Sequence, residues 1–502
     1  MFIRQKKNKS GLISVQVIDK SSGKYKVLKT IGSSQDSKEI EQLILCAKEF
    51  INTVCGNQEL DFSDSNSFIA TILNNITSHK LVGSNLVLGK IFDEIGFNKI
   101  KDPLFKDLVL YRLIYPKSKL KTTEYLYRYE QKKYSEDELY RYLDKLYDTQ
   151  KDTVQKISYE HTLSILKEDI KVVFYDVTTV YFEIDNEDAL RKTGFSKEGK
   201  HQNPQIVLGL LVSKNGYPLA YDMFEGNKFE GHTMLPIIDS FKKKYNLQKL
   251  VIVADAGLLS NTNVKDLQAK NYEFILGARI KTESKQIKNQ ILSLQLKDGE
   301  STVISKDDLK LIVTYSDNRE KKDKYNREKG LKKLEKSIKS GKLTKSSINN
   351  RGYNKYLKLE GEINVIIDSE KFDQDAKWDG LKGYLTNAKL PKEQILENYN
   401  HLWRIEKAFR VAKTDLQIRP IYHRKQKRIE AHICLTFVAY KLYKEIERLL
   451  EIKKSDWSVE KVIEVSKSIF QIEIKNPING EIITQTILLT DEHRKLKELF
   501  LF

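Results

Sequence analysis

The stretch from residue 171 to residue 278 constrains the fold most, because short β-rich runs alternate there with amphipathic runs. The β-rich runs have the length and the content of β-branched and aromatic residues that are typical of strands. Asn215 and Gly216 separate the second run from the third, and Asn-Gly favours a tight hairpin. The predicted strands are VVFYDVTTVYFE (172–183), QIVLGLLVS (205–213), YPLAYDMF (217–224), LVIVAD (250–255) and YEFILGA (272–278), with helices over 232–244 and about 260–269.

The resulting order, β-β-β-α-β-α-β, is that of a ribonuclease-H-like α/β fold with a mixed sheet. In that fold the first and fourth strands are neighbours at the centre of the sheet. Asp176 lies within the first predicted strand and Asp255 at the C-terminal end of the fourth, so we expect the two carboxylates to be close in space. Two structural roles are the alternatives: in one, Asp176 fixes the strand register, and in the other, Asp255 caps the following helix.

A second informative stretch, residues 399–432, begins as a predicted amphipathic helix with a stripe of Leu402, Ile405, Phe409 and Leu416. Glu406 lies on the rim of this stripe. Tyr399, Arg410 and Lys413 point towards the same edge, because helical residues three, four or seven positions apart share a face. A carboxylate on a partly buried edge needs a cationic partner, and either a metal ion or a basic side chain can be that partner.

Arg404 is predicted to point away from this edge, towards solvent or DNA. The alternative for the whole helix is an amphipathic surface element whose Glu–Arg and Glu–Lys pairs have no further role. Taken alone, the helix favours this surface alternative.

Composition favours a folded chain with a polyanionic partner. The 502 residues carry a formal net charge of +18, and nucleic acid is the usual partner of so basic a protein. The three cysteines, Cys46, Cys55 and Cys434, form no metal-binding spacing and fit a reducing compartment. With neither a signal-peptide core nor a run of about 18 apolar residues, we expect a cytoplasmic protein that has no membrane partner.

Five regions are predicted along the chain. A β-hairpin at 11–32 precedes a mainly helical part, for which a plain bundle and a DNA-end-binding module are equally compatible with the sequence. Residues 281–375 interrupt the core, with strands expected at 310–316 and 362–368. Within this segment, residues 317–351 carry 13 Lys and Arg against 5 Asp and Glu. The predicted regions are 1–165 (N-terminal), 166–280 (first part of the core), 281–375 (basic insertion), 376–450 (second part of the core, with the Glu406 helix) and 451–502 (tail).

Residues 399–432 resemble a known family. Tyr399, Glu406 and Lys413 match the Y-x2-R-x3-E-x6-K signature of insertion-sequence DDE transposases of the cut-and-paste branch, whose core is ribonuclease-H-like; Leu402 stands in place of the signature Arg. The W-R-I-E-K-A-F-R and I-R-P-I-Y-H segments resemble one sub-branch of these enzymes. Three further segments resemble the surroundings of their first two catalytic aspartates: GFSKEGK…QIVLGLL (194–211), FEGNKFEGHTMLP (224–236) and VADAGLLS (253–260).

A catalytic assignment follows from the carboxylates and the resemblance together. Asp176, Asp255 and Glu406 are the expected catalytic and metal-binding residues, with two Mg²⁺ or Mn²⁺ ions per site, since hard cations prefer oxygen ligands and two ions suit phosphoryl transfer. DNA contacts are expected at Tyr399, Arg404, Arg410 and Lys413 near the cleaved bond, and at His423, Arg424, Lys425 and Arg428 beyond it. A solvated basic face is the equal alternative for the last four.

The resemblance also implies partners and a reaction. The partners are terminal inverted repeats and target DNA, bound by a homodimer that the DNA ends bridge, with a bacterial nucleoid location when bound. The implied reaction is strand cleavage that leaves a 3′-hydroxyl, hairpin formation, and strand transfer to target DNA. Two alternatives stay open: a ribonuclease-H-like nuclease without strand transfer, and a catalytically inactive, transposase-derived DNA-binding protein.

Overall fold

The structure, a computed structural model, divides into two compact units. One unit comprises Met1–Lys80 with Gln471–Ile487, and the other comprises Leu81–Phe470 with Leu488–Phe502. The described residues are 1–21, 23–55, 65–167, 170–184, 186–196, 199–349, 352–361, 364–477 and 479–502. Among the helices of this described part, none is long and apolar enough to cross a membrane.

The N-terminal residues form an antiparallel sheet with a helix packed on it. The predicted hairpin at 11–32 is confirmed as the pairing of the second and third strands, although Ser22 of its turn lies outside the described residues. Val15, Val17, Ile40 and Ala47 make up the small core between sheet and helix. The elements are β1 (Phe2–Lys7), β2 (Ile13–Asp19), β3 (Lys26–Ser34), α1 (Ser37–Cys55), α2 (Ser65–Asn74) and β4 (Ile76–Leu81).

Residues 90–166 are helical, as their apolar periodicity predicts. A capping box begins the helix at 136–145: Ser135 Oγ accepts from the Glu138 backbone N–H, and Glu138 accepts from the Ser135 backbone N–H. The helices are α3 (Lys90–Ile95), α4 (Pro103–Ile114), α5 (Lys119–Glu130), α6 (Glu136–Lys145) and α7 (Lys151–Leu166).

The next elements confirm the predicted order and build the centre of a mixed sheet. β5 pairs antiparallel with β6 and parallel with β8, so the first and fourth core strands are neighbours as expected. The two helices of this part pack on one face of the sheet. The elements are β5 (Val172–Tyr181), β6 (Gln205–Ser213), β7 (Pro218–Glu225), α8 (Met234–Lys244), β8 (Val251–Ala254), α9 (Asn261–Ala269) and β9 (Glu273–Ala278).

Some elements of the segment between β9 and the Glu406 helix belong to the core sheet, and others form a small separate group. The strand expected at 310–316 is present, but it pairs with a strand at 381–386 in the core sheet and does not belong to a separate sheet. Among the residues of this segment that the structure describes, only two short strands pair with each other apart from the core. The elements are α10 (Lys285–Leu292), β10 (Ser301–Lys306), β11 (Leu309–Tyr315), α11 (Asp317–Lys339), β12 (Leu357–Glu360), β13 (Asn364–Ile367), α12 (Ser369–Ala376) and β14 (Leu381–Thr386).

The complete core sheet therefore has eight strands in the order β10-β11-β14-β9-β8-β5-β6-β7. Residues 381–386 form β14, which inserts between β9 and β11. Its alternation of Leu381, Gly383 and Leu385 with Lys382 and Tyr384 is a strand pattern, which Gly380 and Gly383 obscure.

The helices between residues 392 and 452 cover the other face of the core sheet. The single helix expected from Tyr399 onward is wrong: the chain forms two helices, because His401 and Leu402 bond to the carbonyls three residues back and tighten the turn between them. The elements are α13 (Lys392–Asn400), α14 (Trp403–Thr414), α15 (Gln426–Ile452), α16 (Val459–Ser466), β15 (Phe470–Lys475), β16 (Ile482–Ile487) and α17 (Asp491–Phe500); β15 pairs between β16 and β4.

Candidate active site

Asp176 and Asp255 lie level with each other on neighbouring strands. The parallel ladder of β5 and β8 pairs Phe174 with Val253, and two further residues on each strand lead to the two aspartates. Alternation puts Asp176 on the face of Phe174 and Asp255 on the face of Val253, and both of these belong to the core beneath α13–α15. The sheet thus brings together the two aspartates that the sequence predicts.

The same row continues across the sheet. β8 pairs with β9 so that Ala254 lies opposite Leu276, which sets Asp255 level with Gly277. Gly277 in turn pairs with Tyr384 of β14. One row of neighbouring positions therefore runs from Asp176 through Asp255 and Gly277 to Tyr384.

The Asp255 carboxylate is held in a turn directly after its strand. Its Oδ1 accepts hydrogen bonds from the backbone N–H of Gly257 at 2.8 Å and of Leu258 at 3.3 Å. Arg279 fixes the turn from outside by donating its Nε–H to the Ala256 carbonyl at 3.0 Å. The expected capping role is not seen, because Ser260 caps α9.

The Asp176 carboxylate is half-buried in mid-strand. Its Oδ1 accepts from the backbone N–H of Val177 at 2.7 Å. A charged side chain is unfavourable in a strand whose other residues are mostly buried, unless the charge has a function or a partner.

Glu406 approaches the row from α14. This helix packs on β5 and β6, where Leu210, the cross-strand partner of Asp176, lines a small apolar cavity together with Ala408 and Phe409. The Glu406 side chain is exposed. The helix therefore crosses the sheet at the level of Asp176 and carries its carboxylate at the edge of the buried contact.

Tyr399 links the carboxylates electrostatically. It is buried at the end of α13, with its ring 4.7 Å from that of Tyr384. Burial raises the pKa of the Tyr399 phenol, and the nearby Asp255 and Glu406 carboxylates raise it further. The phenol is therefore neutral and lies within the field of both carboxylates, although it is not on the same helix as Glu406.

Basic side chains that sequence reasoning missed line this site. Lys382 Nζ lies 4.6 Å from the centre of the Tyr399 ring. Burial lowers the pKa of Lys382, as does the neighbouring Arg319, while Glu406 acts in the opposite direction. Arg319 lies in the first turn of α11, so the basic insertion helix begins beside the site. The signal for Lys382 was its position two residues before Tyr384, which places both side chains on one face of β14.

The predicted cations of α14 occupy three different environments. Arg404 donates from Nη1 to the Lys214 carbonyl at 2.7 Å and to Asn215 Oδ1 at 3.3 Å, and so holds the β6–β7 turn. Arg410 is exposed and Lys413 is half-buried. Leu402, at the signature Arg position, is buried in the core.

The predicted cations after α14 also lie in different environments. Arg424 and Lys425 are exposed. Arg428 makes two bonds to the Asp144 carboxylate, at 3.0 and 3.1 Å, and its guanidinium lies 4.3 Å from the centre of the Tyr140 ring. His423 is half-buried, and burial with Lys119, Arg112 and Arg428 nearby lowers its pKa to about 3. DNA contact by these side chains stays a prediction.

The donor chemistry of the site fits a hard divalent cation. Mg²⁺ and Mn²⁺ favour carboxylate oxygens and keep several waters, so few protein ligands are needed. Within the described part of the chain, however, no three His, Cys, Asp or Glu side chains are close enough to hold one ion together. The geometry offers paired aspartates with a glutamate across from them.

Comparison with known proteins defines the class. The family model described as "Transposase DDE domain" matches residues 167–442, more than half of the chain, and the chain therefore belongs to this family. No curated protein matches it.

Two solved structures match this chain at low similarity. The piggyBac transposase synaptic complex with hairpin DNA is 9% identical, over 80% of this chain and 79% of that one, with a TM-score of 0.39. The Mos1 transposase paired-end complex with left transposon end is 12% identical, over 37% and 56%, with a TM-score of 0.16. Both TM-scores are below 0.5, so the assignment rests on the family model.

Proposed function

We propose that the protein is the transposase of an insertion sequence, which cuts DNA at terminal inverted repeats and joins the ends to target DNA. The observation that carries the proposal is the level placement of Asp176 and Asp255 on one face of the sheet, with Glu406 on the helix above that face. Family membership supports the reaction class.

Asp176, Asp255 and Glu406 would hold the divalent ions, Mg²⁺ or Mn²⁺. When bound, such ions supply Lewis-acid stabilisation of the negative charge that develops on the reacting phosphate. The chain's own contribution is orientation: backbone N–H groups fix one oxygen of Asp255, and the rigid strand fixes Asp176. With these groups preset, little reorganisation is needed when substrate binds.

Basic side chains around the site would hold the DNA backbone. Arg410 is exposed one turn after Glu406, and a guanidinium suits bidentate phosphate contact. Lys382 and Arg319 add positive charge beside Tyr399. The net charge of +18 favours association with DNA over the whole chain.

The proposed reaction breaks and forms phosphodiester bonds in two steps. Water attacks the phosphodiester at the element end, forming a P–O bond while the bond to the 3′-oxygen breaks and leaves a 3′-hydroxyl. That hydroxyl then attacks another phosphodiester, on the opposite strand in the hairpin route or in target DNA; a new P–O bond forms while the bond to the 3′-oxygen of the attacked strand breaks and leaves a 3′-hydroxyl there. We assign end recognition to residues 1–165 and additional DNA contacts to 281–375, and we expect two subunits bridged by the DNA ends.

The test is cleavage of a duplex that carries the element's terminal repeat, with Mg²⁺ and with EDTA. Wild type is compared with Asp176→Asn, Asp255→Asn and Glu406→Gln, and with Glu397→Gln as a control on an exposed helical glutamate nearby. We expect metal-dependent cutting by wild type and the control, and at least about 100-fold slower cutting by the three variants with DNA binding retained. Binding without any cutting by wild type would favour the inactive DNA-binding protein, and cutting without joined products the simple nuclease.

A further inference from the structure

A pocket of about 610 Å³ lies where the α4–α5 connection meets the segment that follows α14. Its walls come from α4, the start of α5, α6, the 417–423 segment and α15. No acidic residue is among those that line it. We call it the cationic pocket, defined by Arg112, Lys117, Lys119, Arg419, His423 and His432.

Lys119 is the most unusual of these residues, because its side chain is buried. Only 4% of its surface is exposed, and its Nζ lies 3.4 Å from Nδ1 of His432. The Nε2 of His432 is 2.9 Å from the Ile418 carbonyl, which can only accept. Nε2 therefore carries the ring hydrogen, and Nδ1 accepts from Lys119, so the partner of the buried ammonium is a neutral ring.

Arg112 is equally buried and incompletely paired. Its Nη1 donates to the Leu416 carbonyl at 3.4 Å, whereas its Nε has no hydrogen-bond partner among the residues that the structure describes. Burial lowers the pKa of Arg112 to about 10, and burial together with Arg112 lowers that of Lys119 well below its usual value. Two buried cations without an acidic side chain between them are expensive to maintain in a folded protein.

The start of α5 adds further positive potential. This helix begins at Lys119, and Ser118 Oγ accepts from the Lys121 backbone N–H at 3.2 Å. The N-terminus of a helix of this length carries a partial positive charge that favours anions. The unpaired Nε of buried Arg112 is the independent sign that a ligand belongs there.

We propose that the cationic pocket binds a phosphate group of the DNA backbone, at a second anchoring point outside the carboxylate site. This inference rests on the proposed function. A phosphate can accept from an ammonium and a guanidinium at once, and it would supply the negative charge that the lining lacks. The exposed Lys117 and Tyr422 stand at the rim, where the strand would leave the pocket.

The first test measures anion binding by the full chain without DNA. Thermal unfolding is followed in inorganic phosphate and in sodium chloride of the same ionic strength, for wild type, Lys119→Met and Lys101→Met. Lys101 is an exposed lysine outside the pocket and serves as the control. We expect phosphate to raise the Tm of wild type and Lys101→Met, and to leave that of Lys119→Met unchanged. A wild-type Tm that responds equally to phosphate and chloride would overturn the proposal without reliance on any variant.

The second test asks whether the phosphate is that of DNA. Affinity for the terminal-repeat duplex is measured between low and moderate salt. Lys119→Met should bind about tenfold more weakly, with a salt slope smaller by about one, and Lys119→Arg should restore most of the affinity. If phosphate raises the Tm through Lys119 while DNA affinity and salt slope match wild type, the pocket takes a free anion and the DNA assignment is overturned.

The two proposals fail in different ways. Metal-dependent cutting by wild type, with normal DNA binding by Lys119→Met, would remove the pocket proposal and leave the transposase proposal intact. Failure of wild type to cut under any metal condition would remove the transposase activity, whatever the pocket binds.

Discussion

Asp176 and Asp255 lie level with each other on neighbouring parallel strands and face the same helices. Asp176 lies within β5, and Asp255 begins the turn directly after β8, where backbone N–H groups hold its carboxylate. Their juxtaposition follows from the backbone ladder of β5 and β8, so it persists through any loop motion that leaves the sheet intact. A pair of carboxylates set by a sheet register is well suited to chemistry that needs fixed geometry.

Substitutions at Gly277 and Tyr399 should have non-additive effects on the free energy of unfolding. A Cβ added at Gly277 would lie 2.5 Å from Tyr399 Oη and 2.8 Å from the Ala256 backbone nitrogen. Gly277→Ala should therefore lower the free energy of unfolding by about 1–3 kcal/mol, and Tyr399→Phe should relieve part of that loss. Urea denaturation of both single variants and the double variant measures the coupling. Strictly additive effects would contradict the close contact.

Lys382→Met should slow cleavage while leaving the stability of the protein nearly unchanged. The amine is half-buried over the Tyr399 ring and its pKa is lowered by burial, so a methionine of similar shape should leave the unfolding free energy within about 1 kcal/mol of wild type. Loss of the charge beside the site should slow cleavage at least about tenfold. Lys358→Met, on β12 of the insertion, is the matched control. Unchanged cleavage by Lys382→Met would remove this residue from the site.

Arg424 and Arg428 should respond differently to the same substitution. Arg424→Met should weaken DNA binding, because the side chain is exposed and free to meet a phosphate. Arg428→Met should instead lower the unfolding free energy by up to about 1 kcal/mol, since it removes the two bonds to Asp144 and the contact with Tyr140. Filter binding measures the DNA affinity of both variants, and urea denaturation measures their unfolding free energies. A loss of stability in Arg424→Met together with a loss of DNA affinity in Arg428→Met would contradict the environments described for the two side chains.

The stability of the protein should fall as pH drops through the range set by His423. Its pKa is about 3 in the folded chain, against an ordinary value of 6.5, because of burial and the facing Lys119, Arg112 and Arg428. The unfolded chain therefore binds a proton that the folded chain does not, and stability is lost below about pH 6.5, with a slope approaching about 1.4 kcal/mol per pH unit from this group. His423→Gln should show a shallower decline between about pH 6 and 4, measured by urea denaturation. If the plots of unfolding free energy against pH are parallel for the variant and wild type, the lowered pKa of His423 is contradicted.

Sequence patterns were sufficient for the centre of the fold. The run of strands from 172 to 278 predicts β5 to β9 in order, and the pairing of β5 with β8 confirms that the first and fourth core strands are neighbours. These predictions succeed because buried strands have strong local composition and because the topology leaves few alternative pairings.

The parts that the sequence could not predict depend on tertiary contacts. No glycine or proline marks the break at His401 and Leu402, so one helix was expected where two occur. β14 was missed because its glycines resemble a connection, and with it the position of Lys382. Arg428 was expected to face DNA, since its acidic partner Asp144 lies far away in the sequence.

The most direct test of the central claim is a change of metal preference in Asp255→Cys. A thiolate is a poor ligand for Mg²⁺ but an acceptable one for Mn²⁺. If Asp255 holds a divalent ion during cleavage, the variant should bind the terminal-repeat duplex normally, lose cutting in Mg²⁺ and recover a substantial part of it in Mn²⁺. Cutting in Mg²⁺ at the wild-type rate would contradict the account, as would an equal loss in both metals with DNA binding intact.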